Sequence, residues 1–461
     1  MRTPAAQPVW GTRSVVAGCI VLAAFSLLLP STLAYDPWWW VIWGRETAHL
    51  ALQTSGGPSW KPLPVAFTTV YSVFGDASPA LWLVTARTGY LLATAMAFRL
   101  ARRAAGRFAG VAAVVGVAAV MPWEGGFLLG RSEGIAVACM LWALERYLDG
   151  ARRHALLLGF AAALVRPEVW PVLGAYAACV WVREPQSRRL VAATVALVPA
   201  LWFLPELLSS GEPFRASSRA RMDLSPAGSR GFQPALDVAR ALRIMLLVPV
   251  KVGAVLGLGL ALYRRDRTVL GVAALGGSLL AIEVGMALAG YPVESRFVML
   301  IGVPGCVVAG AGMGWVVGLA PARLLRIAAG VVVIASAAPF VLHRADVLRR
   351  YHGRLDHNAR VDGDLGAAVK RAGGHAAIRR CGRPSTDDSK LPILTWYLGG
   401  PRDVALRRPP PTVIFRARPT LHPHRVPPRP HTHARFPVVV RVGEWQVLAR
   451  CRASIMLRPR A

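Results

Sequence analysis

Apolar positions along this chain fall in blocks separated by short polar segments. The blocks occupy 14–34, 79–100, 108–121, 134–148, 155–165, 168–182, 190–208, 241–262, 268–289, 296–318 and 323–342. A helix needs about 20 apolar residues to cross a bilayer, so the pattern predicts an all-α polytopic membrane protein of about eleven transmembrane or re-entrant helices. Several blocks are too short for a full crossing. Residues 108–121 and 155–182 read as helices that dip in and return, broken at "MPWEGG" and "RPEVWP", where Pro122 and Pro167 stop each helix. Breaks at membrane depth persist only around a protein-lined or water-filled cavity. Thr32-Leu33-Ala34 loosely resembles a signal cleavage site, but the run before it is nearer a full span than a signal h-region. An uncleaved first helix is expected.

The pattern changes after residue 342. "LGAAVKRAGGHAAIRRCGRP" reads as an amphipathic helix running into a loop, and "VVVRVGEWQVLARC" as two strands joined by a tight Gly443-Glu444 turn. The expected organisation is a transmembrane domain over 1–342 and a small α+β domain over 343–461. Between its helix and strands the tail is rich in proline, arginine and histidine. His422, His424, His431 and His433 would be a metal site if they converged, but interleaved prolines and missing carboxylates favour a solvated extended loop. Cys19, Cys139, Cys179 and Cys306 lie in apolar runs as small hydrophobes. Cys381 and Cys451 lie in the tail, where a disulfide is expected if the tail is extracytoplasmic, two free thiols being the alternative.

Composition supports the membrane reading: of 461 residues, 54% are hydrophobic and only 17% charged. The net charge of +30 invites a nucleic-acid partner, but the arginines sit in short clusters between apolar runs rather than on one solvated face. No nucleic-acid partner is expected. The clusters are Arg99 to Arg107, Arg152 and Arg153, Arg183 to Arg189, Arg264 to Arg267, and Arg323 with Arg326. With a cytoplasmic N-terminus all of them fall inside, as the positive-inside rule requires. The expectation is a multi-pass plasma-membrane protein whose C-terminal domain is extracytoplasmic.

The outer face then receives the segments that carry candidate chemistry. "YDPWWWVIWGRE" combines Trp38, Trp39, Trp40 and Trp43 with Asp36 and Glu46. For the tryptophans an aromatic belt at the membrane interface is expected. Asp36, followed by Pro37, suits a helix cap and also a general base that takes a proton from a hydroxyl. Arg131 and Glu133 in "GRSEG", Arg166 and Glu168 in "VRPE", and Glu294 and Arg296 in "VESR" stand at helix boundaries on the same side. A single such pair reads as a structural bridge. Three together suit an anionic lipid headgroup, because guanidinium offers a planar fork of donors to phosphate. Arg87, Lys251 and Glu283 fall inside predicted spans and are secondary candidates.

In order along the chain, these segments resemble the C-type membrane glycosyltransferases, which use polyprenyl-phosphate sugar donors. "YDPWWWVIWGRE" occupies the place of that family's first external loop, where the catalytic acid matches Asp36, with Glu46 a later acid in the same loop. "ESRFVMLIGVP" is similar to the family's late helix start, with Arg296 matching its arginine, and "LVRPEVW" resembles its Arg-Pro-Glu turn. "TSGGPSWKPLPV" looks characteristic of an actinobacterial branch. Where many members carry two adjacent acids, Asp36 is followed by proline. The resemblance covers residues 14 to about 342. It implies inverting transfer of a hexosyl or pentosyl group to an extracytoplasmic cell-envelope glycan or lipid acceptor, with Asp36 as base and the arginines on the donor phosphate. A divalent metal is compatible with it, although no metal-ligand set stands out in the sequence. The competing readings are a transporter or flippase for a lipid-linked precursor, which often shows paired halves absent here, and a noncatalytic membrane scaffold.

Overall fold

The computed structural model describes residues 11–120, 122–222, 233–400, 412–417 and 436–451. Helices dominate it. In chain order they are α1 (Thr12–Phe25), α2 (Tyr35–Ala48), α3 (Pro62–Tyr71), α4 (Ser78–Ala118), α5 (Trp123–Leu128), α6 (Glu133–Leu148), α7 (Arg152–Ala163), α8 (Trp170–Arg183) and α9 (Arg188–Ser210). Then come α10 (Arg215–Met222), α11 (Pro234–Met245), α12 (Val248–Arg264), α13 (Arg267–Leu288), α14 (Ser295–Gly318), α15 (Arg323–Arg371), α16 (Gly374–Cys381) and α17 (Leu391–Tyr397). Four short strands, β1 (Pro384–Ser385), β2 (Val413–Arg416), β3 (Val438–Val442) and β4 (Trp445–Ala449), form one sheet. The fold is the expected one: a multi-pass, largely helical membrane protein with a small α+β part.

Among the described residues five helices are long and apolar enough to cross a bilayer, six if a bent pair is one span. Other expected spans form shorter helices, of 14 residues in α1, 16 in α6, 12 in α7 and 14 in α8. The run expected over 241–262 is broken into α11 and α12, bent by 110°. Pro249 explains the break, since it lies in the first turn of α12, lacks an N–H and clashes with the carbonyl four residues back. Within α4 the helix is interrupted at Ala105 and at Gly106, whose φ of 85° suits glycine. The two blocks expected at 79–100 and 108–121 lie on either side of that interruption.

The chain divides into two compact units. The first spans Met1–Ser26, Ser59–Pro64 and Leu83–Val347. Its central helix is α14, whose most apolar window is 83% buried. Small residues let its neighbours approach closely. A Cβ at Gly257 of α12 would collide with the Val308 carbonyl of α14, and one at Gly310 would collide with α4 at Ala109 and Ala113. Arg87, a secondary candidate for chemistry, is instead a staple. Its guanidinium donates to the carbonyls of Ser26 (2.9 Å), Phe127 (3.3 Å) and Leu128 (3.1 Å), all at helix ends where carbonyls need donors. Lys251 donates to the Arg243 carbonyl at 3.1 Å.

The second unit spans Leu27–Pro58, Val65–Trp82 and Leu348–Ala461. Position 342, the expected domain boundary, lies inside α15, which runs as one helix from Arg323 to Arg371. The sheet order is β1-β2-β4-β3, with β1 parallel to β2 and the other pairs antiparallel. The expected hairpin is β3–β4, turning at Gly443 with φ of 50°. Trp445 of that hairpin is fully buried and donates to the Val361 carbonyl of α15 at 2.7 Å. Cys381 and Cys451 are joined by a disulfide, tying α16 to the segment after β4. The four histidines of the proline-rich segment lie outside the described residues.

Candidate functional site

Three helix junctions of the first unit bring together the arginines expected at the outer face. Arg131 follows Gly130, whose φ of 66° turns the chain out of α5, and Glu133 opens α6. Arg166 precedes the 3-10 turn Pro167–Val169, in which proline at the first position preorganises the turn. Glu294 and Arg296 flank the start of α14. Because α6 and α7 are antiparallel neighbours joined by a short turn, the start of one lies level with the end of the other.

Arg166 is the centre of the cluster and is only 3% exposed. One of its terminal nitrogens donates to Glu133 Oε1 at 3.2 Å, and the other to Glu168 Oε1 at 2.7 Å. Both carboxylates are buried. The Arg296 Nε holds Glu294 Oε2 at 2.6 Å. The Phe297 ring makes cation–π contacts with both guanidiniums, 4.5 Å from that of Arg166 and 5.0 Å from that of Arg296. Lys61, also buried, donates to Ser132 Oγ at 3.0 Å. The Glu133 carboxylate feels the charges of Lys61, Arg166, Arg296 and Arg131 together. Four cations thus share this neighbourhood with the carboxylates Glu133, Glu168 and Glu294. Glu283, buried on α13, is within electrostatic reach of Arg166, Glu168 and Glu294.

Several buried polar atoms of the cluster have no hydrogen-bond partner among the described residues: Arg166 Nε, Glu133 Oε2 and Glu168 Oε2. Native interiors rarely leave such atoms unsatisfied, so they mark where a polar ligand or water belongs. Arg131 is half-buried, and no ion pair or side-chain hydrogen bond holds its guanidinium among the described residues. Its fork is uncommitted. Two of the three sequence-predicted pairs, Arg166–Glu168 and Arg296–Glu294, are therefore bridges within a convergent cluster, while Glu133 is bridged by Arg166 rather than by Arg131.

Lys61 and Tyr90 were missed. Lys61 carried a legible signal, being the only lysine before Lys251 in an arginine-rich chain. Tyr90 carried none, since its ring fits against α6 because Gly134 leaves the room, a relation between distant residues.

In the second unit the opening aromatic segment is α2, and its tryptophans are not an interfacial belt. Trp39 and Trp43 are 0% exposed, and Trp38 and Trp40 are buried as well. They form a core: Trp38 packs on Trp396 of α17 with centroids 6.2 Å apart, and Trp40 meets Trp82 edge-on at 5.5 Å. Gly44 admits Thr68 of α3 against the helix, and the Thr68 hydroxyl donates to the Trp40 carbonyl at 2.7 Å. The expectation failed because a Trp-rich helix beside a membrane also suits burial under another part of the chain, here α17, distant in sequence.

Asp36 lies in the first turn of α2, half-exposed, and Ala34 rather than Asp36 occupies the cap position. An acid there complements the helix dipole. Glu46 is buried near the other end of α2, where its Oε2 accepts the Gln53 N–H at 3.1 Å. Beside it Arg45 lies over the Trp396 ring at 4.3 Å and donates to the Trp396 carbonyl at 3.1 Å. Burial pushes the Arg45 guanidinium below its usual pKa, against the pull of Glu46 and Asp76. Among the described residues no group of three or more His, Cys, Asp or Glu side chains is placed to hold a metal ion.

No protein-family model matches the chain, and no curated protein matches it. Solved structures do. The apo structure of ArnT from Cupriavidus metallidurans superposes with a TM-score of 0.53 at 14% identity, covering 97% of this chain and 99% of that one. The structure of the same ArnT bound to undecaprenyl phosphate gives 0.54 at 15% identity, covering 98% and 100%. At this identity the likeness is one of fold. The chain shares the fold of this ArnT over almost its whole length.

Proposed function

We propose that this protein is an integral-membrane glycosyltransferase that moves a sugar from a polyprenyl-phosphate donor to an extracytoplasmic cell-envelope acceptor, with inversion. The observation that carries this reading is the buried Arg166 cluster at three helix junctions, with its uncommitted Arg131 and unsatisfied Arg166 Nε. It occurs on a fold shared with an ArnT solved bound to undecaprenyl phosphate. Buried charge in a membrane protein is expensive and is retained where it serves a ligand or a reaction.

In this reading Arg131 and Arg166 receive the donor phosphate, with Lys61 and Arg296 contributing to the positive field. Guanidinium forks suit phosphate oxygens, and fixed donors stabilise the charge that grows on the leaving group without reorganising. Asp36 takes the proton of the acceptor hydroxyl, whose oxygen attacks the anomeric carbon opposite the phosphate. The carbon–oxygen bond to phosphate breaks, leaving a polyprenyl phosphate and the glycosylated acceptor. Glu46, the second acid of the loop, supports it by holding the Gln53 amide. The N-terminus is assigned to the cytoplasm, residues 1–342 to the membrane domain and 343–461 to an extracytoplasmic domain.

Purified protein given radiolabelled sugars on a panel of polyprenyl phosphates should transfer label to an acceptor. Asp36→Asn should lower that rate by about 100-fold or more, the size of a lost general base. Transfer by Asp36→Asn at the wild-type rate would remove Asp36 as the base. Donor binding without transfer in either protein would favour a flippase.

A further inference from the structure

The opposite end of α6 holds a second site that transfer does not use. Arg146 lies thirteen residues after Glu133, about 20 Å along the helix. There a cleft of about 340 Å³ is lined by Thr12, Trp142, Arg146, His154, Leu157 and Leu158. That volume lies at the lower end of the range for small-molecule sites. Trp142 and Arg146 are one turn apart on α6, while His154, Leu157 and Leu158 share one face of α7.

Two features define what would fit. Most of the lining is apolar, and Leu157 is 45% exposed toward the surroundings of the helix pair. Two buried donors, Trp142 Nε1 and Arg146 Nε, also have no acceptor among the described residues. Arg146 uses a terminal nitrogen on Glu145 at 3.2 Å and Asp149 at 2.8 Å. Arg99 and Arg103 bind the same two carboxylates, so three guanidiniums face two carboxylates. The local charge is positive, and an acceptor is missing. Water would satisfy the donors but not the apolar wall. Free phosphate would leave the leucines uncovered.

We propose that this cleft seats one anionic glycerophospholipid of the bilayer. Its phosphate pairs with the partly exposed Arg146 guanidinium, and the first carbons of an acyl chain lie along Leu157 and Leu158. The site is separate from the Arg166 cluster and does not depend on the transferase reading.

Native mass spectrometry of the full chain, with phosphatidylglycerol or phosphatidylcholine of matched chain length, tests this. Wild type should retain one equivalent of phosphatidylglycerol in preference to phosphatidylcholine. Arg146→Gln should weaken that retention about ten-fold, as expected for one charge-assisted hydrogen bond. Leu158→Trp fills the cleft without touching an ion pair, and should remove the equivalent even if Arg146→Gln proves too unstable to measure. Undiminished retention in Leu158→Trp, or equal retention of the two lipids by wild type, would overturn the proposal.

Discussion

In α2 the tryptophans form the core and the ionisable groups surround them; at the α7–α8 junction the ionisable groups are buried and aromatic rings pack around them. Both segments, "YDPWWWVIWGRE" and "VRPEVW", place arginine, acid and tryptophan side by side. In α2, Arg45 and Glu46 tie down the Trp396 carbonyl and the Gln53 amide. At the junction Arg166 answers two buried carboxylates and still keeps a buried Nε unsatisfied. Similar residue types therefore build a scaffold in one place and a candidate ligand site in the other. Buried polar atoms without hydrogen-bond partners among the described residues occur in both, at Arg45, Trp38 and Trp39 in α2 as at Arg166, and what separates them is that at the junction one guanidinium bridges two buried carboxylates.

That contrast predicts different costs. Arg166→Met strands Glu133 and Glu168 in a buried setting and should destabilise the fold by about 3–5 kcal/mol, seen as a lowered thermal transition of purified protein. Adding Glu133→Gln and Glu168→Gln should recover much of that loss, since no unpaired buried charge would remain. If it recovers none, the cluster is not held by its charges. Trp39→Ala should cost about 3–5 kcal/mol by cavity formation, and no ionisable partner should rescue it. Near-wild-type stability there would restore the interfacial belt. Glu46→Gln preserves an oxygen for the Gln53 amide and should cost about 1 kcal/mol, with transfer close to wild type. A loss of transfer of about 100-fold in that variant would move Glu46 from scaffold to chemistry.

Much of this architecture was legible in the sequence because membrane burial writes itself in long apolar blocks. The blocks at 268–289 and 296–318 match α13 and α14 to within a residue or two. The α11–α12 bend was less legible, since Pro249 tells where a helix cannot continue but not which way the chain turns. The β3–β4 hairpin was legible from local alternation, whereas its pairing with β2 depends on residues far apart in sequence. At the candidate site, Arg131, Arg166 and Arg296 were identifiable because charge beside an apolar block has to be explained. Their commitments were not, because a carboxylate two residues away, such as Glu168, and one thirty-three away, Glu133, bond Arg166 equally directly.

The central claim is that the uncommitted part of this cluster binds the donor's phosphate. Arg131 tests it most directly, since nothing among the described residues bonds its guanidinium. The measurement is the affinity of polyprenyl phosphate for wild type and Arg131→Gln, with thermal stability recorded beside it. Loss of one charged contact predicts affinity lower by about ten-fold or more, with an unchanged thermal transition. Equal affinity in the two proteins would contradict the account and leave the cluster as a set of bridges.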